Sequence, residues 1–228
     1  MAHQLALDLG TPPPARLSNF IGNRDAVLGL SHLLNPAHAL PGQRSIYLCG
    51  ELGSGRSHLL AASCAQAKEQ GKKSLQLNAH SNIDAFVYCQ ETRLYTVDDV
   101  ELLDDARQIA VFNLFNQLLA GQGLVCAGNQ VPLGLHVRED LRTRLAWGLV
   151  FRLTPLNDEE KITALRQAAQ ERGLHLSPDV PIWLLKHYRR DLGSLMGVLE
   201  ALDQFSLEKK RAVTLPLLRE LFARLTQS

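Results

Sequence analysis

The chain has 228 residues, which is enough for one α/β domain followed by a small second domain. Its hydrophobic fraction of 46% and charged fraction of 21% are typical of a globular protein, and its net charge of +1 argues against a broad surface for nucleic acid. No segment reaches the roughly 20 apolar residues that span a bilayer. Because the N-terminus also lacks the basic start and apolar core of a signal peptide, we expect a cytoplasmic protein without a membrane partner.

The cysteines and histidines do not form a metal-binding pattern. No two of the four cysteines have C-x-x-C spacing, and the eight histidines contain no H-E-x-x-H arrangement. We therefore predict small buried cysteines and no metal site made of protein ligands alone.

Residues 1–16 are predicted to be a flexible tail. Three consecutive prolines, 12–14, exclude a helix and favour extended chain. Ahead of them lies a Q-L-x-L-x-L pattern formed by Gln4, Leu5, Leu7 and Leu9. This pattern resembles the peptide with which bacterial proteins bind the sliding clamp of DNA polymerase III, in which the glutamine and leucines dock into a pocket. The alternative is an edge strand packed on the chain's own sheet.

A phosphate-binding loop is the strongest motif of the chain. A helix ending near Leu34 precedes the apolar run 46–49, which is typical of a buried parallel strand. Residues 50–57 then follow the spacing G-x-x-x-x-G-K-[ST] with arginine in place of lysine, and a helix-forming stretch comes next. Such a loop cradles phosphate with its backbone N–H groups. The predicted nucleotide-binding residues are Gly50, Gly53, Ser54, Gly55, Arg56, Ser57 and His58.

Arg56 stands where phosphate loops carry lysine. Arginine binds phosphate well, but it is a longer planar fork rather than a compact point charge. We therefore expect a site that holds nucleotide and turns it over slowly.

A strand ending in two acids follows the loop. Residues 74–77 alternate as a strand, and residues 79–90 are predicted as loop or as loop with a helical turn. The β-prone run from Leu94 ends at Asp98 and Asp99. Acids at the carboxyl end of a parallel strand lie where open sheets carry their sites. In phosphate-loop proteins such acids hold Mg²⁺ and orient water, so we predict a magnesium site from Ser57 and Asp98.

The remaining core pattern alternates helix and strand. A helix is predicted over 104–120, a strand over 123–128 ending at Asn129, an arginine-rich helix over 138–148, and a strand over 150–153. Asn129 is a candidate for contact with a γ-phosphate. The alternative is that it is an ordinary turn residue. The whole pattern predicts an α/β fold with a five-stranded parallel sheet over residues 17–154.

Residues 155–228 change to an all-helical pattern. Asn157 and Glu160 have capping-box spacing, Ser177-Pro178 has the order of an N-cap and a first helical residue, and Asp191 is placed to cap a third helix. We predict a small helical lid after the α/β core.

The order of these parts resembles the AAA+ domain of the bacterial replication initiator DnaA, and more closely the short DnaA-homologous regulators of the Hda type. The likeness extends over essentially the whole chain and includes the arginine in the loop, the N-terminal peptide and the absence of a helix-turn-helix domain after the lid. It implies an adenine nucleotide with Mg²⁺ as cofactors. It also implies two partners, the DnaA initiator and the sliding clamp, with DNA contacted only through the clamp complex, and it allows self-association.

The same resemblance implies roles for single residues. Asp98 and Asp99 match the Walker B acids, and Asn129 matches sensor 1. Arg144 matches the arginine finger that reaches a neighbouring subunit's nucleotide; a solvated helix face is the alternative. Gly193 stands where the family carries its sensor 2 arginine.

Two other functions remain open at the level of sequence. One is a self-contained AAA+ ATPase of the helicase-loader or initiator type, and the other is a small-molecule phosphotransferase. Arg56 and the missing sensor 2 arginine argue against the first, and a lid of packed helices argues against the second.

Overall fold

The computed structural model describes residues 15–35 and 44–227. Within these ranges, residues 15–155 pack into one compact unit and residues 156–227 into another. The first unit, the core, is built on one sheet with the strands β1 Ser45–Cys49, β2 Lys73–Leu77, β3 Thr92–Val97, β4 Gly123–Gly128 and β5 Leu149–Arg152. All neighbouring strands are parallel, and their order is β2-β3-β4-β1-β5. The predicted five-stranded parallel sheet is confirmed.

Four helices cover the two faces of the core sheet. They are α1 Arg24–Leu34, α2 Arg56–Glu69, α3 Asp105–Gln117 and α4 Glu139–Trp147. Successive residues of β1 point to opposite faces, as in any strand. Ile46 and Leu48 pack in the cluster that includes α1 and α2, whereas Tyr47 and Cys49 pack in the cluster that includes α3 and α4. The helix after the phosphate loop and the arginine-bearing helix therefore lie on opposite faces of the sheet.

The predicted apolar face of α3 is only partly correct, because Phe112 and Phe115 pack against the core whereas Ile109 and Leu119 are exposed. The sequence predicts a helix to residue 120 with an apolar stripe of Ile109, Phe112, Phe115 and Leu119, but α3 ends at Gln117, and Ile109 and Leu119 are 42% and 50% exposed. The fully buried positions are instead Gln108, Val111 and Leu114. Gln108 tolerates burial because its amide donates to the Leu103 carbonyl at 2.7 Å and accepts from the Arg138 N–H at 2.8 Å. Because the buried face of α3 contains a polar residue, apolar periodicity in the sequence does not identify that face.

The second unit, the lid, contains four helices. They are α5 Asp158–Glu171, α6 Asp179–His187, α7 Leu192–Lys209 and α8 Leu215–Gln227. Their apolar faces form a separate core that includes Leu165, Leu184, Leu195, Leu199 and Leu218. No helix in the described part of the chain is long and apolar enough to span a bilayer.

Side-chain caps fix where two lid helices begin. The predicted capping box is confirmed, because Asn157 accepts from the N–H of Glu160 at 2.9 Å and the Glu160 carboxylate accepts from the N–H of Asn157 at 2.8 Å. Asp191 accepts from the N–H of Ser194 at 2.8 Å and caps α7 as predicted. The start of α6 differs from the prediction by one residue, because Pro178 and not Ser177 precedes its first residue.

Candidate nucleotide site

The loop between β1 and α2 requires glycine for two different reasons. Gly53 and Gly55 have φ values of 83° and 95°, a backbone conformation that L side chains rarely adopt. A Cβ atom on Gly55 would also lie 2.7 Å from the ring of Phe20, and one on Gly50 would lie 2.5 Å from Ser54 Oγ. Backbone conformation and close packing together therefore explain the glycine spacing found in the sequence.

The same loop fits a phosphate group. The first N–H groups of α2 have no carbonyl partner within the helix, and the helix dipole adds partial positive charge at this end. Ser54 Oγ is buried without a hydrogen-bond partner. Ser57 and His58 lie exposed in the first turn, and the His58 ring packs against Phe20 with 5.5 Å between centroids. An anion at the start of α2 would meet unpaired backbone donors and an unpaired hydroxyl.

Arg56 is the first residue of α2, and its side chain points toward two acids that follow β3. Its side chain is only 8% exposed. Nη2 lies 3.1 Å from Asp99 Oδ1, and Nη1 lies 3.4 Å from Glu101 Oε1. The cation of the phosphate loop is therefore already paired with two carboxylates.

The two acids predicted after β3 lie in different environments. Asp98 is buried and its Oδ1 accepts from the N–H of Asp99 at 3.0 Å. Asp99 has a φ of 47°, which turns the chain sharply at the strand end, and its side chain is 40% exposed. Burial and the neighbouring Asp98 raise the pKa of Asp99, and Arg56 opposes that shift by favouring the carboxylate.

Glu101 was missed by the sequence reasoning. Its Oε1 accepts from Arg56 and from the N–H of Asn129 at 3.1 Å, so it connects the phosphate loop to the end of β4. Its Oε2 is buried and has no hydrogen-bond partner. Burial raises the pKa of the nearby Tyr47 hydroxyl, and the charges of Cys126 and Glu101 raise it further. The sequence signal for Glu101 is that it is the third acid of the run D-D-V-E. It was missed because it lies beyond the two acids at the end of the strand.

Asn129 reaches the same edge of the sheet as the acids. It follows β4, is exposed, and is held through its backbone by Glu101. The structure thus brings together the phosphate loop, Asp98, Asp99 and Asn129 at the carboxyl edge of the sheet. The individual roles of these residues stay predictions.

The predicted magnesium site does not fit this arrangement. Asp99 and Glu101 are paired with Arg56, and Asp98 Oδ1 accepts a backbone N–H. One oxygen of each of these three carboxylates is therefore already engaged, and the guanidinium of Arg56 places a positive charge beside two of them.

Arg144 lies in the last turn of α4, remote from these acids in the fold. Its guanidinium carbon lies 4.4 Å from the ring centroid of Trp147 and 5.8 Å from that of Phe112. Trp147 is 71% exposed, and the three side chains line an open pocket of about 680 Å³. Among the residues the structure describes, Arg144 has no carboxylate within ion-pair distance.

Two further predictions concern the lid and the tail. Gly193 lies in the first turn of α7, while the neighbouring Arg189 and Arg190 pair within the lid with Asp191 and Asp158 at 3.0 and 3.7 Å. The predicted clamp-binding residues Gln4, Leu5, Leu7 and Leu9 lie outside the described residues.

Comparison with known families identifies the lid. Residues 158–222 match the family model described as Hda, lid domain. The second unit is therefore similar to the lid domain of the Hda family. This match confirms, for the lid, the kinship with Hda-type chains that the sequence predicts.

Solved structures confirm the AAA+ fold of the chain. Domain III of the replication initiation protein DnaA from Thermotoga maritima superimposes with a TM-score of 0.73 at 18% identity, covering 95% of this chain and 99% of that one. AMPPCP-bound DnaA from Aquifex aeolicus gives 0.66 at 23% identity, covering 85% and 66%. A RuvB variant from Thermotoga maritima gives 0.68 at 15% identity, covering 92% and 72%.

Proposed function

We propose that the chain is a clamp-associated AAA+ regulator that binds adenine nucleotide, turns it over slowly, and stimulates ATP hydrolysis by the DnaA initiator through Arg144. Stimulated hydrolysis would remove ATP-loaded DnaA and so limit re-initiation of replication. The match of the lid to the Hda lid model and the likeness of the fold to DnaA support the assignment of the chain to this kind of regulator. The observation that carries the mechanism is that Arg144 has no acidic partner among the described residues and packs on an exposed tryptophan.

The environment of Arg144 favours a role outside its own subunit. Arg138, which precedes the first residue of the same helix, pairs with Asp140 at 3.0 Å. Arg144 instead packs its planar guanidinium on Trp147, which limits its rotamers while leaving its donors unpaired. A cation held in this way is ready to receive an anion from another molecule.

The sheet separates Arg144 from the chain's own phosphate loop. The helix that carries Arg144 packs on the Tyr47 face, whereas the helix that follows the phosphate loop packs on the Ile46 face. The C-terminal end of α4 also lies at the start of β1, because a Cβ on Gly148 would meet the carbonyl of Ser45 at 2.4 Å. The phosphate loop follows the opposite end of β1. These positions support action in trans.

A finger of this kind acts on the transition state. An arginine supplied in trans neutralises charge that develops on the transferred phosphoryl group, and such fingers contribute roughly 10³–10⁵ in rate. In this account the partner provides the nucleotide and the water, and this chain provides the cation. Its own turnover is slow because Arg56 is bound to two acids rather than free to follow the γ-phosphate.

The tail would deliver the regulator to DNA. The peptide of residues 4–9 is proposed to dock on the sliding clamp, with the prolines after it acting as a spacer. Docking on a DNA-loaded clamp raises the effective concentration of the regulator near DNA-bound DnaA without any DNA contact of its own.

The test compares arginine variants of one helix. Arg144→Ala should leave nucleotide and clamp binding unchanged and abolish the stimulation of ATP hydrolysis by DnaA. Arg144→Lys should restore little, because a single ammonium does not reproduce the planar fork. Arg138→Ala and Arg142→Ala are the matched controls for loss of positive charge.

Three outcomes would count against the proposal. Equal losses from the three alanine variants would indicate a docking face rather than a finger. Full stimulation by Arg144→Ala would remove the mechanism. Rapid ATP turnover by the isolated chain would favour a self-contained ATPase.

A further inference from the structure

We infer that Arg56 is a built-in substitute for the divalent cation of this phosphate loop, so that the chain binds its nucleoside diphosphate or triphosphate without Mg²⁺. The inference rests on the nucleotide-binding part of the proposed function. It reverses the prediction of a magnesium site from Ser57 and Asp98.

The first support is where the guanidinium lies. Arg56 begins the helix whose N-terminus would bind phosphate, and its side chain is almost fully buried. From there its two terminal nitrogens reach separate carboxylates, Asp99 at 3.1 Å and Glu101 at 3.4 Å. A single fixed cation therefore links the two acids that follow β3 to the phosphate loop.

The second support is that Glu101 is itself held in place. Its Oε1 also accepts the backbone N–H of Asn129, and its Oε2 is buried without a partner. A buried carboxylate without a counter-charge is costly. Arg56 supplies that charge, so movement of the guanidinium away from Glu101 is disfavoured.

These contacts disfavour a metal ion at this edge, because one oxygen of each of its three carboxylates is already engaged. Mg²⁺ requires near-octahedral oxygen ligands at about 2.0–2.1 Å and is usually held by one or two carboxylates with several waters. Two of the three carboxylates at this edge already face a guanidinium, which repels a second cation at the same oxygens. The third, Asp98, is buried and uses Oδ1 for a backbone N–H.

The same arginine can still bind the nucleotide. A guanidinium has five N–H donors, and Glu101 and Asp99 accept one hydrogen bond from each of its two terminal nitrogens. The remaining donors are available to an oxygen of the terminal phosphate. Arg56 would then bridge acid and phosphate in the way that Mg²⁺ does in a lysine-bearing loop.

The experiment measures nucleotide affinity with and without metal. A fluorescent ADP analogue is titrated with the full chain in excess Mg²⁺ and in excess EDTA. For the natural chain we expect dissociation constants that agree within about twofold, since no metal ligand is lost with the chelator. Arg56→Lys should free one or both acids, because an ammonium cannot pair with two separated carboxylates as a fork does, and EDTA should then weaken binding by about tenfold or more.

A second readout tests the metal directly. Binding of Mn²⁺ to the nucleotide-free chain is followed by electron paramagnetic resonance. We expect no specific Mn²⁺ site in the natural chain and a new site in Arg56→Met, in which Asp99 and Glu101 have lost their counter-charge. Arg93→Lys, an exposed change in β3, is the matched control and should behave as the natural chain does.

The outcomes separate this inference from the proposed function. Loss of nucleotide binding by the natural chain in EDTA, or a specific Mn²⁺ site on it, would overturn the inference. Failure to bind nucleotide under either condition would contradict the proposed nucleotide site, while the Mn²⁺ comparison would still decide the role of Arg56. If the Arg56 variants do not fold, the two titrations of the natural chain decide alone.

Discussion

The pairing of Arg56 with Glu101 predicts a measurable energetic coupling between them. Removing one partner of a buried ion pair costs about 3–5 kcal/mol, but exposed pairs contribute only about 0–1 kcal/mol. The Glu101 side chain is 15% exposed and that of Asp99 is 40% exposed, so the site lies between these limits. We expect Arg56→Met to lower the free energy of unfolding of the core by about 2–3 kcal/mol, chiefly by leaving Glu101 unpaired.

Combining Arg56→Met with Glu101→Gln should lower the free energy of unfolding by less than the sum of the two single effects. Glu101→Gln keeps an acceptor for Asn129 and should cost about 1 kcal/mol alone. Once the charge on Glu101 is gone, loss of Arg56 leaves no buried anion, and the coupling energy should be about 1–2 kcal/mol. The control pair Arg138 and Asp140 is exposed and should couple by less than about 0.5 kcal/mol.

The assay is urea unfolding followed by tryptophan fluorescence. The chain has two tryptophans, one in the core and one in the lid. A Trp183→Phe background leaves Trp147 as the reporter of the core. Additivity of the two single variants to within about 0.3–0.5 kcal/mol would show that Arg56 and Glu101 do not depend on each other and would refute the reasoning.

Three further predictions test other parts of the account. Gly55→Asp should abolish nucleotide binding, measured by titration, because it places a side chain against Phe20 and a negative charge at the anion site; unchanged affinity would contradict the site. Replacing Gln4, Leu5 and Leu7 with alanine should eliminate clamp binding, measured by surface plasmon resonance, without changing the melting temperature; normal binding would remove the tail from the mechanism. Asp191→Ala should destabilise the lid by about 1 kcal/mol through loss of a cap, measured by thermal unfolding, and no change would refute the cap.

The sequence was sufficient for the fold because its signals were local and repeated. Glycine spacing, strand and helix alternation and the caps at Asn157 and Asp191 each depend on residues a few positions apart. The order of the five strands was not predicted, because pairing between β1 and β5 joins residues about a hundred positions apart. The prediction of the buried face of α3 was incomplete for a related reason. Gln108 is buried there because its side chain bonds to groups outside the helix, which the helical pattern does not show.

The candidate site, like the fold, was predicted from the sequence only in part. The sequence predicted which residues gather at the carboxyl edge of the sheet, because parallel strands end at one edge. It did not predict that Arg56 pairs with Asp99 and Glu101, because that contact depends on a side-chain direction after a left-handed turn at Asp99. The same pairing is what makes the predicted magnesium site a poor fit.

The central claim is tested most directly by ATP hydrolysis in a reconstituted mixture of DnaA, DNA-loaded clamp and this chain. The account predicts that hydrolysis of DnaA-bound ATP rises by orders of magnitude when the natural chain is added, and that neither Arg144→Ala nor omission of the clamp allows this rise. Hydrolysis by DnaA that does not change on addition of the natural chain and loaded clamp would contradict the account.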